Sequence, residues 1–284
     1  MKSVIDKIYE YYEKYPQLCH ASNILTKFEK NQSVDKLKLI ANRYLEYIEG
    51  NLYFIGNNDS TIKKRVKLLN DYYNYIHYNG FDNLYSAQGK FRPTILEEFL
   101  FLLFKDFVEK YQTKHDAGEQ LESGSVKAYS NLYFKAKSFG DFISNPEMAI
   151  NEKDQDFAIY RKFQLTVNGT NTVDLQVPAI AIEAKTFIDK TMLDGIIATA
   201  EKVKSGNPYS MFVAVAETYD VAVGVDPAYS RIDQIYVLRK TTRKADWEDI
   251  DVNVVLRMVH EITAHLERPW SDVELRLKNE GVII

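Results

Sequence analysis

Cysteine is nearly missing: Cys19 stands alone in a chain of 284 residues, which excludes an internal disulfide and a zinc site built on thiolates. Long apolar runs are missing too. No stretch of ~20 residues escapes a charge, so no membrane-spanning helix is expected. The first fifteen residues are charged and periodic rather than apolar, unlike a secretory leader, and the expected compartment is the cytoplasm. Nor is there a cationic excess. A formal net charge of −4 argues against a nonspecific polyanion binder, yet leaves room for an enzyme that meets DNA on a local basic surface. Repeats and low-complexity tracts are also lacking. A hydrophobic content of 45% with 27% charged residues is ordinary for a globular protein with a substantial core.

What is present begins with helices, in a region rich in tyrosine. Val4, Ile5, Ile8, Tyr11 and Tyr12 form a helical stripe. Ser33 is placed to cap a second helix with Leu37, Ile40, Ala41, Tyr44, Leu45 and Ile48 inward, ended by Gly50-Asn51. Ser60 is placed to cap a third, with Ile62, Val66, Leu69, Tyr73 and Ile76 inward. Its first turns carry Lys63, Lys64, Arg65 and Lys67, either a solvated face or the phosphate contacts of a small DNA-docking region. Ser86 to Pro93 reads as a joint, dividing the chain into a helical region (1–85) and a second region (86–284).

Pro93 opens a helix that is apolar almost all round, as expected of one buried between layers. Glu97 and Glu98 near its start either favour the helix dipole or send one carboxylate into a metal site. Residues 115–130 read as a loop and 129–138 as a short strand. A hairpin follows, then a helix capped by Asp189 and running to Lys204. Met211–Ala216 reads as a fully buried strand, Gln234–Arg239 as another, and Ile250–Leu266 as a final helix. The fold class is therefore α/β, a mixed sheet with flanking helices plus the N-terminal helical region. Arg239, Lys240, Arg243 and Lys244 form a basic cluster after the last strand, a solvated loop or a DNA contact. His260 and His265 are spaced wrongly for a metal pair on one helix and read as structural.

The stretch from Asp154 to Lys190 carries the chemistry. Asn168-Gly169 between two apolar-rich runs signals a hairpin. If those two residues are the whole loop, Val167 pairs with Thr170, Asp154 falls opposite Glu183, and Asp156 falls opposite Ala181. Both aspartates, Glu183 and Lys185 then share a face. Carboxylates so placed repel and raise one another's pKa unless a cation lies between them. Mg²⁺ suits such oxygen ligands, lowers the pKa of bound water and stabilises charge on a phosphoryl oxygen. Lys185 is placed to position the attacking water or steady the transition-state charge. An acid-x-basic triplet alone is weak, since roughly five arise by chance in such a composition. Here it follows an almost uncharged strand, where ionised groups need partners.

Three segments, Gly-Lys-Phe-Arg-Pro-Thr-Ile-Leu-Glu-Glu-Phe, Lys-Asp-Gln-Asp-Phe-Ala-Ile and Ile-Glu-Ala-Lys-Thr-Phe-Ile-Asp-Lys-Thr-Met-Leu-Asp, carry a resemblance to a family. The chain resembles the PD-(D/E)xK nuclease superfamily, and within it type II restriction endonucleases of the BbvCI type, over roughly residues 86 to 240. The resemblance implies Mg²⁺-dependent cleavage of both strands of double-stranded DNA at a short site, by a homodimer or a heterodimer with one active site per chain. It makes Glu183 the metal-binding acid of the Glu-x-Lys motif and Lys185 its lysine. The first acid is Asp156, which directly precedes the apolar run, or Asp154; a bulge near Pro178 would favour Asp156, and no proline precedes either. Glu98 or Glu97 matches the helix acid of many relatives. Lys63, Lys64, Arg65, Lys90, Arg92 and Lys190 are the candidate DNA contacts, and Thr186 a further one. The rivals are a structure-specific repair or recombination nuclease and a noncatalytic DNA-binding module.

Overall fold

The computed structural model describes residues 3–82, 84–85, 90–116, 118–144, 146–167, 171–268, 270, 273–279 and 281. Helix α1 (Val4–Lys14) starts at a capping box in which Ser3 and Asp6 satisfy each other's backbone N–H. Helix α2 (Cys19–Glu29) has no side-chain cap and was not foreseen as a separate element. Helix α3 (Val34–Tyr53) follows Ser33, but that residue is left-handed at φ 52° and its hydroxyl makes no cap bond. The helix runs through Gly50 and Asn51, where the sequence predicted its end. Gly50 lies against Leu68, where a Cβ would come within 2.7 Å of the leucine side chain. The glycine thus permits close helix packing and marks no break. Helix α4 (Asp59–Tyr78) is capped by Asn58, two residues before the predicted Ser60, and the Asn58 side chain accepts from the Thr61 N–H.

Helix α5 (Pro93–Lys114) has proline at its first turn, as predicted, and a continuous buried run from Thr94 to Leu96 and from Glu98 to Phe104. Strand β1 (Leu121–Lys135) occupies much of the stretch predicted as loop. Its small and polar residues carry little strand preference, and pairing along the length of β2 overrides that. A short helix α6 (Phe139–Ser144) leads to β2 (Glu147–Val167), β3 (Asn171–Ile188) and α7 (Lys190–Gly206). Asp189 caps α7 by accepting from the Met192 N–H, as its position predicted. Then come β4 (Met211–Tyr219), β5 (Gln234–Val237), α8 (Val252–Glu267) and α9 (Val273–Asn279).

The five strands lie in the order β1-β2-β3-β4-β5. The first three pair antiparallel, and β3, β4 and β5 run parallel, so the sheet is mixed, as predicted. One sheet face, with Ile180, Ile182, Val213 and Val215, packs on α5 and α8 and continues into the core of α1–α4. The other face, with Ala181, Phe212, Ala214 and Ala216, is covered by α7 through Leu193, Ile196, Ala200 and Val203. Among the described residues no helix is long and apolar enough to cross a membrane. His260 lies 2.8 Å from Asp59 and the His265 ring 3.0 Å from the Tyr209 carbonyl, joining separate elements of the fold.

Candidate active site

Two departures from ideal pairing decide which residues meet. Val167 pairs with Asn171 rather than Thr170, and β3 holds an extra residue where Tyr160 pairs with Pro178 but Ile159 pairs with Ile180. Each shifts the simple count by one residue. Phe157 therefore pairs with Ile182, and Asp156 rather than Asp154 comes level with Glu183. The Asn168-Gly169 turn itself lies outside the described residues. A second bulge sits on β2, where Asp156 and Phe157 together face the single Ser125 between Gly124 and Val126 of β1. Bulges of this kind re-aim a side chain. Asp154 is left exposed opposite Lys127 of β1.

The Asp156 carboxylate accepts from the Ala184 N–H at 2.9 Å and from Lys185 Nζ at 2.7 Å. Lys185 Nζ also donates to Glu183 Oε2 at 2.8 Å, so one ammonium is shared by acids on adjacent strands. Burial pushes the Lys185 pKa down, but Asp156 and Glu183 more than compensate and raise it. Glu183 is raised by burial, which with Asp156 outweighs the pull of Lys185. Glu97 faces the same place from α5. Burial first, then the Asp156 charge, push its pKa up to about 7, against the opposing pull of Lys90 and Lys185. Cys19 Sγ approaches the Glu97 carboxylate at 3.9 Å. Glu97 and Asp156 line a cavity of about 220 Å³ together with Ser123, Ser125 and Tyr160.

Glu98, favoured from the sequence as the helix acid, points the other way. It is fully buried and accepts from the His20 and Ala21 N–H groups at 2.9 and 3.1 Å and from the Tyr44 hydroxyl at 2.9 Å. Its carboxylate satisfies buried donors at the start of α2 that have no partner within the helix, where a carboxylate is favoured by the helix dipole. Consecutive residues lie about 100° apart around a helix, so only one of the pair can face the sheet. The consequence can be measured. Glu98→Ala should lower stability by about 3 kcal/mol, because three buried donors lose their acceptor. Glu97→Ala should leave the melting temperature nearly unchanged and remove cleavage. The opposite pattern in thermal melts and plasmid digests would exchange the two roles.

Several predicted DNA contacts are corrected. Arg65 is 1% exposed and donates to Asp106 at 2.8 Å and to the Phe54 carbonyl at 2.6 Å, so no phosphate reaches it. Helical periodicity turns it inward while Lys63 and Lys64 stay exposed. Arg92 is held by Asp82 and by Glu217 Oε2 at 2.9 and 2.8 Å. Arg239, one of the basic cluster, is buried against the same Glu217. Lys90 is exposed at the approach to α5, and exposed Lys190 pairs with Asp194. The tie between Arg92 and Glu217 was invisible in the sequence, since 125 positions separate the partners.

The donor chemistry fits a hard divalent cation: carboxylates from two strands and one helix, with Glu97 and Glu183 raised in pKa by burial first and by the Asp156 charge after it. Among the described residues no three acidic, histidine or cysteine side chains already stand at ligating distances. The Lys185 ammonium occupies the place between Asp156 and Glu183. An aspartate at a strand, Glu-x-Lys on its antiparallel neighbour, a glutamate from the preceding helix and a mixed sheet beneath them define a nuclease core of the PD-(D/E)xK class.

The chain belongs to the Bpu10I restriction endonuclease family, whose sequence profile matches residues 88–247. It is a type II restriction endonuclease, an enzyme that cleaves double-stranded DNA. Its fold is that of a solved structure described as the native BbvCI A2B2 tetramer at low resolution: the TM-score is 0.67 at 22% identity, over 88% of this chain and 95% of that one. No curated protein matches the sequence. Membership of this family implies dependence on Mg²⁺.

Proposed function

We propose that Asp156, Glu183 and Glu97 hold Mg²⁺ in this chain, that Lys185 serves the hydrolytic step, and that two such subunits, alike or related, cut the two strands of one DNA site. The observation that carries the reading is the Lys185 ammonium held at 2.7 and 2.8 Å between acids on adjacent strands. When bound, Mg²⁺ supplies an activated water and charge neutralisation at the phosphate. The chain's own part is to place the groups. The Asp156 carboxylate is fixed by the Ala184 N–H, so it cannot swing away from Glu183. Lys185 orients the attacking water and offsets the negative charge that develops on the phosphoryl oxygens. Lys63, Lys64 and Lys90 are exposed cations for the DNA backbone, whereas Lys190 is engaged by Asp194. The A2B2 assembly of BbvCI favours a related second subunit over a lone chain.

Unmethylated plasmid incubated with the protein and Mg²⁺, alone and with the product of a neighbouring gene, should give discrete fragments or a nicked circle. Diverse DNA left intact under both conditions would sink the proposal. The ionised Glu97 carboxylate is the form that binds a cation, and its pKa stands at about 7. Apparent Mg²⁺ affinity should therefore rise as pH rises through about 7 and fall below it, a trend that Glu97→Gln should flatten in calorimetric titrations.

A further inference from the structure

The loop between β5 and α8 is long and carries charge, yet it is pinned at almost every point. Arg239 donates to Glu217 and to the Glu248 carbonyl, and Lys240 pairs with Asp251. Trp247 Nε1 donates to Asn74 at 2.6 Å, and Asn70 exchanges bonds of 3.0 and 2.8 Å with the Ile250 backbone. At the other end the loop is stitched to the strands that carry the site. The Tyr219 N–H donates to the Thr241 carbonyl at 3.0 Å, and the Arg243 N–H donates to Asp220 Oδ1 at 3.0 Å. Asp220 in turn donates its own N–H to the Ile188 carbonyl at 2.8 Å.

This scaffold separates the basic cluster into groups with different fates. Arg239 is buried and Lys240 is paired, so neither is free to meet a new anion. Arg243 is 55% exposed, and its guanidinium lies 4.0 Å from the ring centroid of Phe187. Its contact with Asp220 is long, at 3.6 Å for Nε to Oδ2. Phe187 is two residues beyond Lys185 on the same strand, about 7 Å along it. Arg243 and Phe187 line a cavity of about 600 Å³ with Thr186, Thr242 and Trp247. A planar, permanently charged fork set over an aromatic ring at the wall of a groove is an arrangement that suits a phosphate oxyanion.

We propose that Arg243, seated on Phe187, grips a phosphate of the DNA backbone next to the one that is hydrolysed. The inference rests on the nuclease reading for its partner and adds to it a named contact on a rigid loop. The contact is independent of base sequence, so it acts in nonspecific binding as well as at the target site.

The test is a fluorescence-anisotropy titration of a short mixed-sequence duplex in Ca²⁺, repeated across salt concentrations, with the wild type, Arg243→Gln and Arg243→Lys. Each phosphate contact contributes about 0.9 to the slope of log affinity against log salt. Arg243→Gln should bind about tenfold more weakly, with a slope shallower by about 0.9. Arg243→Lys, which keeps the charge, should recover most of the slope. An unchanged slope in Arg243→Gln overturns the inference. So does loss of the slope in Arg243→Lys as well, because the effect would then lie in the fold rather than in the charge. Absence of cleavage by the wild type in Mg²⁺ is a separate result that strikes the nuclease reading alone, since the salt slope is measured without cleavage.

Discussion

Lys185→Ala should yield a folded protein that binds DNA and cleaves it about 10²- to 10⁴-fold more slowly than the wild type. The lysine is the only cation within hydrogen-bonding distance of both Asp156 and Glu183 among the described residues, at 2.7 and 2.8 Å. The fold should survive, because Asp156 keeps the Ala184 N–H as a donor and β3 keeps its parallel pairing with β4. Glu183→Ala should show the same separation of folding from activity. Single-turnover digestion of plasmid beside a circular-dichroism melt distinguishes the outcomes. Wild-type cleavage by either variant would mean that the site is elsewhere.

Glu217→Ala should be among the most destabilising single changes in the chain. Glu217 follows the buried run of β4 at 0% exposure and joins Arg92, at the head of α5, to Arg239, just past β5. Burial alone would raise its pKa, but the guanidiniums of Arg92 and Arg239 hold it below the usual carboxylate value. Truncating the acid leaves buried Arg239 without its carboxylate and Arg92 with Asp82 alone, and breaking a buried pair in this way costs roughly 3–5 kcal/mol. That corresponds to a fall of about 10 °C in melting temperature for a chain of this size. Glu201→Ala is the control. Glu201 pairs with Arg231 at the surface, with both side chains about half exposed, and surface pairs contribute little. A melting temperature for Glu217→Ala equal to that of the control would show that the buried network is dispensable.

The parts of the fold legible in the sequence are those with local causes. Proline at the head of α5, Asp189 at the head of α7 and the unbroken apolar run of β4 each follow from residues within a few positions. The edges were less legible. Asn58 caps α4 in place of Ser60, two hydrogen-bonding residues competing for one position. Gly50 belongs inside α3 because of Leu68 on a different helix, information that lies outside its own window. Strand β1 looked like loop because pairing with β2, rather than composition, holds it extended.

In the candidate site, Glu183 and Lys185 were placed on one strand by spacing alone. Choosing between the aspartates needed the register, which depends on a loop one residue longer than assumed and on an extra residue near Pro178. The choice between Glu97 and Glu98 needed the start of α2, an element the periodicity had not separated. The phase of α5 carried no signal, because apolar residues flank both acids: Phe101 and Phe104 lie on the side of Glu97, Ile95 and Leu102 on that of Glu98.

On the proposed assignment of the site, the ammonium of Lys185 is an internal competitor as well as a reagent. With Nζ already 2.7 and 2.8 Å from the two acids, any arriving metal must displace a resident charge before it gains those ligands. The site is thereby kept from collapsing through repulsion while it waits, and from capturing trace cations too weakly bound to win the exchange. Shortening the side chain would remove the competitor and the chemistry together, giving an enzyme that holds metal more tightly and does less with it.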